Sequence, residues 1–253
     1  MVLAPLRCML NGRRGTFVEL GAFTGVNLSN TVMLERCYDF TGVLVEASTT
    51  NFAQLMASGR RATKVHSAVC PGDVDTEVEF AIDGGDKAGE PALRMEAARA
   101  EGPPKRGNRK KQVSDVAAEV VSRRAKVPCR SLDRILNAAG FPTIDILFLD
   151  VEGAEAKVLE SVDLKRFSLI AMEATGYPYD GGRLSNVIEP MLKRAGFRRE
   201  RMLENGKRGS WNPVYVRDDR ISKQCINCGA NRECRHRFLG RHGKGQGRSS
   251  PLL

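Results

Sequence analysis

Residues 16–31 read TFVELGAFTGVNLSNT. Phe17, Val18 and Leu20 favour a strand, and nothing interrupts the run before Gly21. Gly21 and Gly25 then punctuate the chain. Asn27 or Ser29 can cap a helix running through Thr31, Val32, Met33, Leu34, Arg36 and Cys37. The stretch therefore predicts strand, glycine turn, helix. This unit recurs at nucleotide sites, because glycine lets backbone approach a ligand closely and a helix start offers free N–H groups. Glu19 narrows the choice of ligand. A carboxylate beside the turn repels a pyrophosphate but suits an ammonium or a ribose hydroxyl. The spacing Gly21-Ala22-Phe23-Thr24-Gly25 also differs from the G-x-G-x-x-G of a dinucleotide site.

The pattern continues outward. Residues 42–46 (GVLVE) form a second strand ending in an acid, and 51–56 read as a helix. TKVHSAVC at 63–70 is a third strand and EVEFAI at 77–82 a fourth. Residues 83–128 lose this rhythm. They are rich in Gly, Lys, Arg and Ala and read as a mobile basic insert. Rhythm returns where Ser131 caps LDRILNAAG and Gly140 ends that helix. IDILFLDV at 144–151 is a near-continuous apolar run carrying Asp145 and Asp150, as expected of a strand buried on both faces of a parallel sheet. A helix over 153–164, a strand over 167–172 ending at Glu173, and a helix over 184–195 follow. Strands near 197–203 and 213–217 can pair antiparallel at the sheet edge. Alternation of this kind predicts a doubly wound α/β sheet. The expected organisation is an extension at 1–15, one domain over 16–217, and a basic Cys-containing tail at 218–253.

Composition sets bounds on this reading. A 253-residue chain that is 42% hydrophobic can bury one sizeable core. Its formal net charge is +10, but residues 99–128 hold nine Lys/Arg against three acids, and residues 217–253 hold the same balance. The basic character thus sits in the insert and the tail, where charge runs read as solvated. Among the seven cysteines, Cys37, Cys70 and Cys129 fall in apolar surroundings and read as buried thiols. Cys225, Cys228, Cys234 and His236 form a cramped set that could hold zinc; free tail thiols are the favoured reading, and no metal is expected. The opening MVLAPLRCML does not read as a signal peptide. No apolar run is long enough for a transmembrane helix, and the default expectation is a soluble cytoplasmic protein. Neither a Walker pattern nor a G-x-S-x-G elbow occurs, which excludes the common NTPase and hydrolase signatures.

Four strands end in carboxylates: Glu19, Glu46, Asp150 and Glu173. In open α/β sheets ligands sit beyond the carboxyl ends of the strands. Glu46 follows Gly25 by twenty-one residues, about the distance at which an acid reaches ribose hydroxyls in nucleotide folds. The ligand should therefore carry a ribose and a positive charge, and S-adenosylmethionine meets both demands. His66 is a weaker candidate base, since a lone His inside a strand is more often a satisfied core residue.

FVELGAFTGVNLSNTVMLE, GVLVEASTTNF, VPCRSLDRIL and above all IDILFLDVEGAEAKVLESV resemble the FkbM family of S-adenosylmethionine-dependent methyltransferases. The resemblance covers about residues 16–217, apart from the insert. It implies a class I methyltransferase (Rossmann-like) fold, mostly parallel with one antiparallel edge strand. Carried over, Glu19, Gly21, Ala22 and Gly25 form the cofactor's amino-acid side and Glu46 holds the ribose. Ser67 and Ala68 place backbone near adenine, and Asp150 and Glu152 line the reacting end as candidate catalytic residues. Ala47 stands where many members have proline. The implied activity is O-methylation of a small hydroxyl compound or sugar. Two rivals remain open: a non-catalytic binding or trafficking protein on this fold, and an RNA-modifying methyltransferase suggested by the basic segments.

Overall fold

The chain's first strand, β1 (Thr16–Leu20), lies inside a seven-stranded sheet, paired in parallel with β2 (Thr41–Glu46) on one side and β7 (Ile144–Leu149) on the other. The computed structural model describes residues 3–72, 75–81, 124–151, 153–173, 184–200, 212–221, 223 and 225–226. Beyond β2 lies β3 (Thr63–His66), and beyond β7 lies β8 (Phe167–Met172), both parallel. The sheet closes with β10 (Val214–Arg217), antiparallel to β8, and β9 (Phe197–Arg199), antiparallel to β10. The order is β3-β2-β1-β7-β8-β10-β9. The architecture is α/β and mostly parallel, with one antiparallel strand in the edge pair.

The central strands are buried along nearly all of their length, with only Thr16, Thr41 and Phe148 half-buried, because helices cover both faces. One face packs Phe17, Leu44, Ile146 and Leu169 against Leu6 and Leu10 of α1 (Leu3–Leu10), Leu34 of α2 (Val32–Tyr38) and Leu55 of α3 (Thr49–Ala57). The other packs Val18, Val43, Leu147 and Ile170 against α4 (Leu132–Ala138), α5 (Glu155–Glu160) and α6 (Glu189–Arg194), the last preceded by a π-helical turn at Leu184–Ile188. Fully burying one such Leu or Phe contributes about 1.5–3 kcal/mol. Ser131 caps α4, its Oγ accepting from Arg134 N at 3.3 Å, and Gly140 follows at φ +78°.

Several sequence expectations change. TKVHSAVC is not one strand: it breaks at Ser67, and β4 (Ala68–Val69) enters a second, three-stranded sheet of order β4-β6-β5. Residues 77–81 of EVEFAI belong there too, as part of β5 (Thr76–Ala81), antiparallel to β6 (Arg124–Arg130); Ile82 lies outside the described residues. The first five residues of β6 fall within the stretch that reads as insert; their alternation is too short to stand out beside basic low-complexity sequence. The rest of the insert, residues 83–123, lies outside the described residues.

The ends are also more involved than a bare extension and tail. Leu6 and Leu10 are buried, and so are Ile221, Cys225 and Ile226. Cys8 and Cys225 form a disulfide that joins α1 to this C-terminal segment. A second disulfide, Cys70–Cys129, joins β6 to the residue after β4. The reading of Cys70 and Cys129 as thiols is thereby corrected: apolar surroundings report burial, not which sulfur lies opposite. Cys37, expected to be buried, is exposed on α2. Cys228, Cys234 and His236 lie outside the described residues, and Cys225 is spent in a disulfide rather than free. Among the described residues, no helix is long and apolar enough to cross a membrane.

Candidate functional site

Parallel pairing puts the carboxyl ends of β1, β2, β3, β7 and β8 on one side of the sheet. Backbone hydrogen bonds then stitch those ends in series. Ser67 N donates to Glu46 O (3.1 Å), Gly21 N and Ala22 N to Val45 O (both 3.1 Å), Asp150 N to Leu20 O (3.2 Å), and Glu173 N to Leu149 O (2.9 Å). Glu19, Gly21, Ala22, Gly25, Glu46, Ser67, Ala68, Asp150 and Glu173 are therefore gathered along one edge of the molecule. Glu152 lies outside the described residues.

Glu46 meets the glycine turn through Oε2 and the start of α3 through Oε1. Phe23 N donates to Oε2 and Ser48 N to Oε1, each at 2.8 Å. Burial pushes the Glu46 pKa up from its ordinary value, opposed by the backbone N–H groups of Ser48 and Phe23. The Asn51 side chain and the Ala47 backbone also act on the carboxylate as donors. An ionised carboxylate accepts only, which is the chemistry that hydroxyl donors such as those of a ribose require.

Glu19 is committed differently. Its oxygens accept from Ser29 Oγ (2.8 Å), Asn30 N (2.6 Å) and Thr31 Oγ1 (2.5 Å). Burial raises its pKa, and those three donors together with the Arg60 charge oppose the rise. Glu19 thus organises the loop after the glycine turn from beneath. This also revises the helix start: α2 begins after Thr31, with no side-chain cap, and Ser29, whose Oγ donates to Glu19 and accepts from Thr31 N at 3.3 Å, lies two residues before that cap position.

Behind Glu19 lies Arg60, a residue the sequence reading did not single out. Its Nε donates to Glu35 Oε2 (3.1 Å), Nη1 to Gly25 O (2.5 Å) and Ser29 Oγ (3.0 Å), and Nη2 to Thr31 Oγ1 (2.8 Å). Glu35 also accepts from Arg61 N (2.7 Å). One buried guanidinium therefore pins the glycine turn, the loop and α2 together. Nothing in the sequence marks Arg60 or Glu35, since isolated charges beside a glycine or on a short helix ordinarily face water.

The glycines serve close packing within the protein. A Cβ on Gly21, at φ +75°, would stand 1.9 Å from Asp150 O. One on Gly25, at φ +78°, would stand 2.4 Å from Leu55 Cδ1. Gly21 thus lets β1 and β7 converge where their acids emerge. Ser67 Oγ lies within reach of Ala68 O (2.6 Å) and Pro128 O (3.1 Å), tying the end of β3 to β6. His66 stacks on Phe52 and its Nε2 meets Ala47 O at 3.1 Å. A separate cavity of about 490 Å³, lined by Thr63, Val65, Asp75, Arg130 and Arg134 among others, contains none of the strand-end acids.

The family model described as "Methyltransferase FkbM domain" matches residues 19–199. No curated protein matches the chain. Solved structures that resemble it include a precorrin-6y C5,15-methyltransferase from Geobacter metallireducens (10% identity, TM-score 0.39, covering 86% of this chain and 88% of that one). The METTL16 methyltransferase domain is similar at 8% identity and TM-score 0.43, covering 85% and 64%. LepI in complex with SAM is similar at 10% identity and TM-score 0.42, covering 85% and 47%. The chain thus spans less than two thirds of the latter two proteins. No TM-score among these three reaches 0.5, so the assignment rests on the family match and the strand order.

Proposed function

Because this chain belongs to the FkbM methyltransferase family, we propose that it transfers a methyl group from S-adenosylmethionine to a hydroxyl oxygen of a small molecule or sugar. S-adenosylmethionine is the cofactor of the family, and when bound it supplies an electrophilic methyl group on a sulfonium. The observation that carries the reading is Glu46, a buried carboxylate at the carboxyl end of β2 that accepts from Phe23 N in the glycine turn and from Ser48 N at the start of α3.

The chain's own residues then divide the work. Glu46 accepts from the ribose hydroxyls. Backbone carbonyls around Gly21 and Ala22 suit an ammonium group, which needs acceptors. Ser67 and Ala68 border the adenine. Methyl transfer needs chiefly alignment of acceptor and donor, and we assign to Asp150, which follows β7 and whose backbone packs against Gly21, the acceptance of the hydroxyl proton as it is released. Glu152 is retained as a second candidate for this role. The non-catalytic and RNA-modifying readings have no observation of their own among the described residues. Two disulfides favour an oxidising compartment over the cytoplasm.

The test is thermal unfolding with S-adenosylhomocysteine, S-adenosylmethionine or NAD, in separate scans. Ligand at about 100 times its dissociation constant adds about 2.7 kcal/mol, or several degrees for a chain of this size. A rise with both adenosyl compounds and none with NAD is expected. No rise with any of them, from folded protein, would replace catalysis by the binding-protein reading.

A further inference from the structure

His66 sits beside Glu46 in the parallel register of β2 and β3. Its Nε2 lies 3.1 Å from the carbonyl oxygen of Ala47. A carbonyl can only accept, so Nε2 carries the proton and donates. The ring is held flat against Phe52 of α3, with centroids 4.8 Å apart and planes 15° from parallel. Thr49 Oγ1 also lies 3.5 Å from Nε2.

The peptide that receives this hydrogen bond also gives one. Ala47 C=O and Ser48 N–H belong to the same peptide plane, and Ser48 N donates to Glu46 Oε1 at 2.8 Å. The sequence of contacts is therefore His66 Nε2–H to Ala47 O, then Ser48 N–H to Glu46. An imidazole donor on the carbonyl side fixes the rotation of that plane and polarises its N–H, since hydrogen bonds in series strengthen one another. Ser48 is also the N-cap of α3, accepting from Asn51 N at 3.3 Å, so the same plane sets where the helix starts.

We propose that His66 is a positioning residue for cofactor binding, acting through the Ala47–Ser48 peptide to orient the Glu46 carboxylate. The role rests on the assignment of Glu46 to the ribose. It differs from that of a base, because the ring's donor is spent on backbone.

The experiment measures S-adenosylhomocysteine affinity by calorimetry, together with amide exchange at Ser48 in unliganded protein. His66→Phe keeps an aromatic partner for Phe52 and loses the donor. It should weaken affinity about 3- to 10-fold, the value of one hydrogen bond, and speed Ser48 exchange. His66→Gln, which returns a donor near the Nε2 position, should recover most of both. In a Glu46→Ala background His66→Phe should cost no further affinity, because the group it orients is gone. Unchanged affinity and exchange in His66→Phe, or an additive loss in the double variant, would overturn the proposal. If His66→Phe fails to fold, the comparison of His66→Gln with wild type decides on the same two readouts: near-wild-type values support the relay, and the full loss overturns it. Wild-type protein that binds no S-adenosylhomocysteine would sink the cofactor reading instead, and so would unchanged affinity in Glu46→Ala. Ser48 exchange would still report whether His66 holds the peptide.

Discussion

Arg60 and Glu35 form an ion pair at 3.1 Å with side chains 0% and 3% exposed. Charges this deeply buried are tolerated only when their remaining donors and acceptors are filled. Here they are: Arg60 also reaches Gly25 O, Ser29 Oγ and Thr31 Oγ1, and Glu35 accepts from the backbone of Arg61 and Ala62. The pair fixes the loop that borders the candidate cofactor site.

Removing one partner leaves the other charge uncompensated. Arg60→Ala should lose about 3–5 kcal/mol of stability, roughly 6–20 °C in Tm for a chain of this length. Arg60→Lys keeps the charge but not the fork of donors, and should fall between. Thermal unfolding of the three proteins checks this. Equal Tm values would mean that Arg60 faces water in solution.

Glu46→Ala should weaken S-adenosylhomocysteine binding by one to two orders of magnitude, about 1.4–3 kcal/mol. Calorimetric titration measures it, and unchanged affinity would remove Glu46 from the ribose.

Acidification should act on Glu46 with opposite signs in the free and bound protein. Burial raises its pKa above the ordinary 4.5, as it does for Glu19. The folded chain thus binds each proton more tightly than the unfolded chain does. The resulting stability increment is full below 4.5 and is lost as pH rises through the folded value. Cofactor binding runs the other way, because ribose hydroxyls donate to the ionised carboxylate. Affinity for S-adenosylhomocysteine should fall on acidification, beginning above the normal glutamate range. Glu46→Gln should flatten that pH profile, and an equally steep fall in the variant would assign it elsewhere.

Gly21→Ala places a methyl group 1.9 Å from Asp150 O at φ +75°. The strands must separate or the turn must change, at about 1–3 kcal/mol for the backbone conformation alone. Both Tm and cofactor affinity should fall. A loss of Tm with affinity intact would show that the β1–β7 junction stabilises the fold without shaping the site.

Reduction should destabilise the protein. The Cys70–Cys129 and Cys8–Cys225 bonds span 59 and 217 residues, and removing such a crosslink typically costs about 2–5 kcal/mol. Cys70→Ser and Cys8→Ser should each lower Tm in oxidising buffer, and dithiothreitol should lower the wild-type Tm to match a variant carrying both of these Cys→Ser substitutions. Thiol counting by mass spectrometry provides the control.

Much of the fold follows from local pattern. Apolar runs of strand length alternating with helix-period segments demand a parallel sheet covered on both faces, and TFVEL, GVLVE and IDILFL became three adjacent strands. Acids placed at strand ends by sequence lie toward one end of the sheet because parallel strands share a direction. Gly21 and Gly25 were legible as turns, for both occupy the left-handed region that glycine favours. The tertiary structure decided what pattern cannot encode, namely which group meets which across long separations. Glu19 turns inward because Ser29, Asn30 and Thr31 come around to donate to it. Arg60 is buried because Glu35 and the carbonyl of Gly25 surround it. Cys8 finds Cys225, and TKVHSAVC divides between two sheets at Ser67. Hydrophobic periodicity is a property of neighbours along the chain and survives in any window. The pairing of a charge, a hydroxyl or a sulfur depends on where the folded backbone delivers its partner.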